Sequence, residues 1–183
     1  MLRIVLKINI LLTLAGIEFL TYFYSKFDIN PMNISPNKLN SFLMFRLPSA
    51  YFSGVRTTYL DDNKCTVKVK HRWINQNPFK SMFWAVQGMA AELTTGALVM
   101  KKIKESGQKI SMLVANNNAS FSKKATGRIT FECSEGYKID EAITEAIETK
   151  EGQTVWLNAK GVNADGIEVS NFNFEWTLKV KSK

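Results

Sequence analysis

The chain has 183 residues, 45% of them hydrophobic, which suits a single domain with a substantial core. Its net charge of +8 favours anionic partners such as nucleotide phosphates, nucleic acid or a lipid surface. Nucleic acid is the least favoured of these, because the basic residues are spread over strands and loops and no aromatic residues interleave with them as a stacking platform would require. We therefore expect no nucleic-acid partner.

The cysteine and histidine content argues against several kinds of site. Cys65 and Cys133 are the only cysteines, and each lies in a predicted strand without a second ligand at metal spacing. They are therefore predicted to be two buried free thiols, and we expect no metal site. His71 is the sole histidine and follows the same alternation as Cys65, which disfavours a Ser-His-Asp or Cys-His mechanism and predicts a core or rim histidine with satisfied hydrogen bonds.

The first residues differ in character from the rest of the chain. Residues 1–27 carry Arg3 and Lys7 ahead of an apolar run, as in a signal peptide or a short interfacial helix that contacts a membrane. The uninterrupted apolar part is shorter than the roughly 20 residues of a spanning helix. Alternatively, translation starts at Met32. The sequence thus predicts an apolar helical extension over residues 1–31 and a domain over residues 32–183. We expect the protein to be cytoplasmic, or peripheral to the inner face of the membrane.

The domain is predicted to begin with a helix and a hairpin. Ser35 can cap a helix that runs from Asn37 to Phe45. Strands are predicted from Val55 to Leu60 and from Lys64 to Trp73, since the second of these alternates apolar and polar residues. This alternation indicates a hairpin with one solvent-exposed face.

Glu92 is the only charged residue between Lys80 and Lys101, in a segment that otherwise predicts a buried helix. Apolar side chains occur on every side of the predicted helix, so we expect other structure, such as a curled sheet, to cover it completely. An unpaired carboxylate that is removed from water loses several kcal/mol of solvation. A buried Glu92 therefore predicts either a dedicated partner or a catalytic task.

The second half of the chain predicts four strands and one amphipathic helix. The closing strands meet at an Asp-Gly turn, which is typical of a tight antiparallel hairpin. The last strand changes its alternation phase, which predicts a bulge near Ser170 and Asn171. The predicted elements are strands Lys109–Phe121 and Gly127–Cys133, helix Tyr137–Thr149, and strands Thr154–Val162 and Ile167–Lys181.

The segment from Asn77-Pro78 to Glu92 resembles the motif of hotdog-fold acyl-CoA thioesterases of the phenylacetate-pathway type. In that family Asn-Pro is followed by His-Gly-Gly at the helix start and by Asp or Glu inside the helix, whereas here Phe83-Trp84-Ala85 stand in place of His-Gly-Gly. The chain is more closely similar to the thioesterase-like group called domain of unknown function 4442. Segments similar to residues 71–80 and 89–93 recur there, and the resemblance covers about residues 34–183.

This resemblance implies an α+β hotdog fold, in which a curved antiparallel sheet of about six strands wraps around a long central helix, here with extra N-terminal helices. It implies hydrolysis of acyl-CoA or acyl-carrier thioesters by a homodimer or a tetramer with sites at the subunit interface. No cofactor is expected beyond the coenzyme A of the substrate. The alternative is a non-catalytic acyl- or lipid-binding protein that lacks the His-Gly-Gly element.

The resemblance also implies roles for individual residues. Glu92 would act as general base or nucleophile, and the N–H of Ala85 at the helix start would hold the oxyanion. Asn77 would orient water or the thioester carbonyl, or else be a turn residue before the helix. Further expected substrate contacts are Gln87 and Thr95 on the helix, and Lys123, Lys124 and Arg128 for the phosphates of coenzyme A, unless these three are solvated loop charges.

Overall fold

The computed structural model describes residues 34–181, and the predictions for residues 1–31 and for a start at Met32 fall outside this range. Two short helices open the described part, α1 (Pro36–Arg46) and α2 (Pro48–Phe52), each with a proline in its first turn. The Oγ of Ser35 accepts a hydrogen bond from the N–H of Lys38 at 3.4 Å, as predicted for the cap of α1.

Six strands form one antiparallel sheet in the order β1-β2-β4-β5-β6-β3. The sheet was predicted, and its two edges are β1 and β3. The turn between the last two strands has the predicted geometry, because Gly166 adopts φ +77° and the N–H of Asn163 donates to the carbonyl of Ile167. The strands are β1 (Arg56–Leu60), β2 (Cys65–Lys70), β3 (Ile110–Phe121), β4 (Arg128–Cys133), β5 (Gln153–Val162) and β6 (Glu168–Val180).

The long helix α3 (Trp84–Glu105) packs across strands β1, β2, β4, β5 and β6, and helix α4 (Gly136–Thr149) packs against α3, β5 and β6. Between α3 and the sheet lies a core of fully buried side chains, each of which contributes about 1.5–3 kcal/mol by leaving water. The largest of these include Phe131, Leu98, Ile129, Leu157 and Leu178.

The predicted bulge in the last strand is confirmed. Gly161 pairs with Ser170 and Val162 pairs with Glu168, so Val169 is the extra residue in β6. Val169 and Ser170 are consequently both buried, although neighbours in a regular strand point to opposite faces. Similar register shifts occur in both edge strands, at Thr58 in β1 and Ala115 in β3. These bulges help the sheet to curve around α3.

Candidate functional site

The loop before α3 is held by Asn75, a residue to which sequence reasoning assigned no role. Its side-chain amide donates to the carbonyls of Ser53 and Lys70, both at 2.9 Å, and its Oδ1 accepts from the N–H of Arg72 at 2.8 Å. Its own carbonyl accepts from the N–H of Phe83 at 2.8 Å. Asn75 therefore joins the end of α2 and the end of β2 to the start of α3. The signal for it was the recurrence of segment 71–80 in similar proteins.

Asn77 closes a tight turn. Its Oδ1 accepts from the N–H groups of Phe79 at 2.9 Å and Ser81 at 3.2 Å, and its Nδ2 donates to the Oγ of Ser81 at 3.1 Å. Both ends of the side-chain amide are thus used within the turn, which matches the turn-residue interpretation. A direct contact between Asn77 and substrate stays a prediction.

The start of α3 presents backbone donors. Phe83 is the N-cap residue and provides no side-chain hydrogen bond, while its carbonyl accepts from the N–H groups of Val86 and Gln87. The N–H of Ala85, in the first turn, has no acceptor among residues 34–181. Positive partial charge at a helix N-terminus favours negative charge on a nearby group. The half-buried Ala85 can therefore supply an oxyanion donor.

The prediction that α3 is covered on every side is wrong for the single chain. The surface that the chain leaves uncovered, here called the uncovered stripe, carries the exposed Glu92 and extends at the helix start to the adjacent Phe83 and Trp84, which are 43% and 59% exposed. Ala85 and Met89 on the same stripe are half-buried. The apolar pattern of the sequence could not reveal this exposed surface, because an apolar stripe has the same sequence pattern whether or not the chain covers it.

The side-chain carboxylate of Glu92 has no hydrogen bond or ion pair with any other residue of the described range. The prediction of a fully buried carboxylate is wrong, but the neighbouring atoms still exclude enough water to raise its pKa, with desolvation as the cause. No positive charge in residues 34–181 offsets this effect. Glu92 is therefore a partly desolvated carboxylate that binds a proton more readily than an ordinary glutamate does.

Glu92 lies in the wall of an apolar cavity of about 290 Å³, here called the apolar groove, which α1 and α2 close on one side and α3 on the other. Among its lining residues only Ser49 and Glu92 carry polar side chains, apart from the indole N–H of Trp176. The groove is lined by Phe42, Leu43, Leu47, Ser49, Ala50, Met89, Glu92, Leu93, Gly96, Met100, Met112 and Trp176.

Thr95 does not line the apolar groove, but it fixes one of its walls. The hydroxyl of Thr95 accepts from the indole N–H of Trp176 at 3.1 Å and donates to the carbonyl of Glu92 at 3.0 Å. The buried Trp176 ring lies against Gly96, where an added Cβ would stand 3.2 Å from two ring atoms. The groove therefore has a rigid aromatic wall.

Gln87 is buried on the sheet side of α3, away from the groove lining. Its Nε2 donates to the carbonyl of Met82 at 3.2 Å, and its Oε1 accepts from the hydroxyl of Ser170 at 2.9 Å. The structure thus gives Gln87 a tethering position between α3 and the bulge in β6. Substrate binding by Gln87 and Thr95 stays a prediction, because the contacts described here are structural ones.

The three basic residues predicted to bind phosphate lie together near the start of α3. Lys123 and Lys124 are in the turn between β3 and β4, Arg128 begins β4, and all three side chains are exposed. This turn is joined to the loop before α3, since the N–H of Met82 donates to the carbonyl of Ala125 at 2.8 Å and the Nζ of Lys124 donates to the carbonyl of Phe79 at 3.3 Å.

The two cysteines are free and buried as predicted, and they face each other across β2 and β4. Burial raises the pKa of Cys133 to about 12 and also raises the pKa of Cys65.

The Nε2 of His71 is buried and has no hydrogen-bond partner in residues 34–181. The prediction of a histidine with satisfied hydrogen bonds is therefore wrong. Over the same range, no group of His, Cys, Asp and Glu could hold a metal ion, and no helix is long and apolar enough to span a membrane.

A family model described as Domain of unknown function (DUF4442) matches residues 37–178. No curated protein matches the sequence at a significant level.

Several solved structures are similar. A protein of unknown function from Pseudomonas aeruginosa, described as a probable thioesterase, superposes with a TM-score of 0.69 at 22% identity and covers 80% of this chain and 97% of its own. A protein of unknown function from Chlorobaculum tepidum gives 0.67 at 17% identity over 80% and 98%. A thioesterase from Haemophilus influenzae gives 0.61 at 11% identity over 82% and 94%. At these identities the likeness establishes the fold.

Proposed function

The chain belongs to the DUF4442 family and has the predicted hotdog fold, and from this premise we propose that it hydrolyses thioesters of coenzyme A or of an acyl carrier. Two of its structural neighbours are described as thioesterases. The single observation that carries the proposal is Glu92, a carboxylate with a raised pKa and no partner in the described chain, at the side of an apolar groove. Such a group suits proton transfer to and from a reacting substrate.

In the proposed reaction, the Glu92 carboxylate takes a proton from a water molecule as its oxygen attacks the thioester carbonyl carbon. The carbonyl oxygen becomes an oxyanion, which accepts a hydrogen bond from the N–H of Ala85. When the tetrahedral intermediate collapses, the carbon–sulfur bond breaks and the protonated Glu92 returns the proton to the thiolate. The products are a carboxylic acid and a free thiol.

The spacing of these two groups favours water activation over direct attack by Glu92. Ala85 and Glu92 lie on one stripe of α3, and seven residues of helix advance by about 10.5 Å. Direct attack would require a carboxylate oxygen within about 3–3.5 Å of the carbonyl carbon whose oxygen Ala85 holds. An intervening water extends the reach of the carboxylate, so we favour a general base and keep the nucleophile as the alternative.

The proposed coenzyme A phosphates would lie at the opposite end of the stripe from the groove. Lys123, Lys124 and Arg128 are exposed beside the loop that leads into α3, and no acidic side chain in the described range pairs with them. Phosphates at these residues would place the pantetheine arm over the start of α3. A carrier protein would present its arm in the same direction.

We further propose that the protein is a homodimer with its sites at the subunit interface. Strand β3 is an edge whose second half, from Asn116 to Phe121, is exposed on both faces. An unpaired edge of this length is a ready pairing surface for a second strand. The uncovered stripe of α3, with the exposed rings of Phe83 and Trp84, is apolar surface that a second copy would cover.

A second candidate function is acyl binding without catalysis. The observation that favours it is the replacement of His-Gly-Gly by Phe83-Trp84-Ala85, which puts two aromatic rings, 5.9 Å apart between centroids, at the helix start. Rings in this position narrow the approach to the N–H of Ala85. A binding protein would retain the groove and lose the turnover.

The two candidates are separated by an assay of purified protein with acyl-CoAs of increasing chain length. We expect hydrolysis, and we expect Glu92→Gln to lower kcat by at least about 100-fold because a general base is removed. Glu141→Gln, at an exposed position on α4, is the matched control and should retain full activity. Tight binding of acyl-CoA without any turnover would support the binding protein instead.

A further inference from the structure

We propose that the loop before α3 docks the protein on the surface of an anionic lipid bilayer. The loop, residues 72–81, is here called the aromatic loop. The proposal goes beyond the proposed function, which concerns the groove and the start of α3. The loop is also distinct from residues 1–27, whose apolar pattern is typical of a signal peptide or of a helix that contacts a membrane.

The aromatic loop projects from the protein between two anchors that lie close together. At one end, the N–H of His71 donates to the carbonyl of Gly127 at 2.7 Å. At the other end, the N–H of Met82 donates to the carbonyl of Ala125 at 2.8 Å. Both ends are thus held at neighbouring positions of the turn between β3 and β4, as in an Ω-loop.

The loop holds apolar side chains out in the solvent. Trp73 and Phe79 are the two most exposed large hydrophobic residues of the described range, at 83% and 73%, and Ile74 is exposed as well. Their positions are fixed, because the buried Asn75 side chain holds the 3-10 turn and Asn77 closes the turn that carries Phe79. Single exposed apolar residues are ordinary, but a fixed loop that presents several of them marks an interaction surface.

The surroundings of these side chains are basic. Lys80 follows Phe79 in the loop, and Lys124 of the neighbouring turn donates from its Nζ to the carbonyl of Phe79 at 3.3 Å. Segments 63–91 and 106–131, which supply the loop and the turn, contain no acidic residue. The exposed rings are therefore flanked by positive charge.

One acidic residue contacts this turn from elsewhere in the chain. The carbonyl of Glu168 accepts from the hydroxyl of Ser122 at 2.7 Å. Its carboxylate, however, pairs with the Nζ of Lys160 at 2.9 Å, so its charge is already compensated. The surface therefore keeps its attraction for anions.

This combination of rings and basic side chains fits a bilayer better than other occupants. Aromatic rings favour the boundary between headgroups and acyl chains, and lysines bind lipid phosphates. Soluble coenzyme A would offer phosphates to Lys124 but no apolar layer for the rings of Trp73 and Phe79. A second copy that met this surface with the same surface would bring like charges together.

Sedimentation of the full-length protein with lipid vesicles tests the proposal. We expect binding to vesicles of phosphatidylcholine with phosphatidylserine, weaker binding as salt is added, and little binding to phosphatidylcholine alone. The double variant Trp73→Ser with Phe79→Ser should bind at least about tenfold more weakly, because the apolar contact is lost. Unchanged binding of this variant, or no binding of the wild type, would overturn the proposal.

A charge substitution tests the basic side chains separately. Lys80→Asn should weaken binding to the anionic vesicles by about fivefold, and asparagine suits the left-handed conformation of this residue at φ +58°. Lys179→Asn is the control and should not change the binding. Lys179 is exposed on β6, about 30 Å along the strand from Val169, whose carbonyl accepts from the turn at Ser122.

Fluorescence shows whether this loop, rather than residues 1–27, touches the lipid. Brominated phosphatidylcholine in the anionic vesicles quenches tryptophans that enter the bilayer. Trp73→Phe should reduce this quenching while it retains most of the binding, since phenylalanine is also apolar. Trp156→Phe, at an exposed position on β5, should leave the quenching unchanged. Equal quenching of the wild type and Trp73→Phe would assign the contact to another part of the chain and end the proposal.

Activity and oligomeric state separate this proposal from the proposed function and the proposed dimer. The serine variants of Trp73 and Phe79 should keep the circular dichroism, the sedimentation coefficient and the hydrolysis of soluble acyl-CoA of the wild type. If no thioester is hydrolysed but the vesicle results hold, the proposed function fails and this proposal stands. If instead KM for acyl-CoA rises or the dimer dissociates while vesicle binding persists, the rings belong to the substrate site or to a subunit contact, and this proposal fails.

Discussion

At the scale of single residues, Glu92 is expected to reduce the stability of the protein that carries it. Folding raises the pKa of this carboxyl above its unfolded value of about 4.3, because the partly desolvated site favours the protonated form. The stability that this group contributes is therefore fully present below the unfolded pKa, and it is lost as the pH rises through the folded pKa and the group ionises. Glu92→Gln should therefore unfold at a higher urea concentration than the wild type at pH 7. The difference should disappear at pH 4. Equal midpoints at pH 7 would contradict the partial desolvation of this carboxylate.

The same raised pKa predicts the pH dependence of catalysis. A general base must be ionised in the free enzyme, so kcat/KM should rise with pH through a midpoint above the ordinary range of a glutamate. The measurement is kcat/KM for an acyl-CoA that the protein hydrolyses, between pH 4 and 8. The residual activity of Glu92→Gln should not show this rise with pH. If the rise persists in the variant, a titrating group other than Glu92 causes it.

At the scale of elements, the end of helix α4 offers a site for stabilisation. The helix ends at Thr149, and Lys150 adopts a left-handed conformation with φ +60°, which a residue with a Cβ reaches at a cost. Lys150→Gly should raise the free energy of unfolding by about 0.5–1 kcal/mol, as measured by urea denaturation. Glu151→Gly is the control, because its φ is not positive and the substitution should not stabilise.

Most of the helices and strands could be predicted from the sequence, because apolar residues alternate in the strands and recur at helical spacing in the helices. Even the bulge at Val169 was foreseen within a residue or two, from the change of phase in β6. The strand predicted to reach Trp73 ends at Lys70 instead, since Asn75 draws the chain into a 3-10 turn over Trp73–Asn75. Such a turn depends on hydrogen bonds to residues far along the chain, which local patterns do not contain.

The candidate site was predictable only in part. The motif located Glu92 and Ala85 on one helix, and the structure places them on one stripe. The apolar groove could not be predicted, because its walls come from α1, α2, α3, β3 and β6, and only the folded chain brings Leu43, Met112 and Trp176 together. The exposure of Glu92 was missed because the sequence does not distinguish an apolar stripe covered within the chain from one left for another surface.

At the scale of the whole molecule, the proposed dimer predicts the effect of a charge on the uncovered stripe. Trp84 is 59% exposed in the single chain, so Trp84→Glu should leave the monomer folded while it removes apolar contact area and introduces a charge at the interface. Sedimentation velocity should show a dimer for the wild type and a monomer for the variant, with unchanged circular dichroism. Trp156→Glu, at a 44% exposed position on β5, should remain dimeric. A monomeric wild type would refute the proposed dimer.

The three methionines that line the apolar groove make it sensitive to oxidants. Met89, Met100 and Met112 are all partly exposed, so peroxide could reach their sulfur atoms without unfolding the chain. Conversion to the sulfoxide would place polar oxygen atoms along an otherwise apolar wall. The groove would then become more polar while the core behind α3 stayed intact, and methionine sulfoxide reductases would reverse the change. Oxidation of these methionines would therefore alter the chemistry of the groove before it altered the fold.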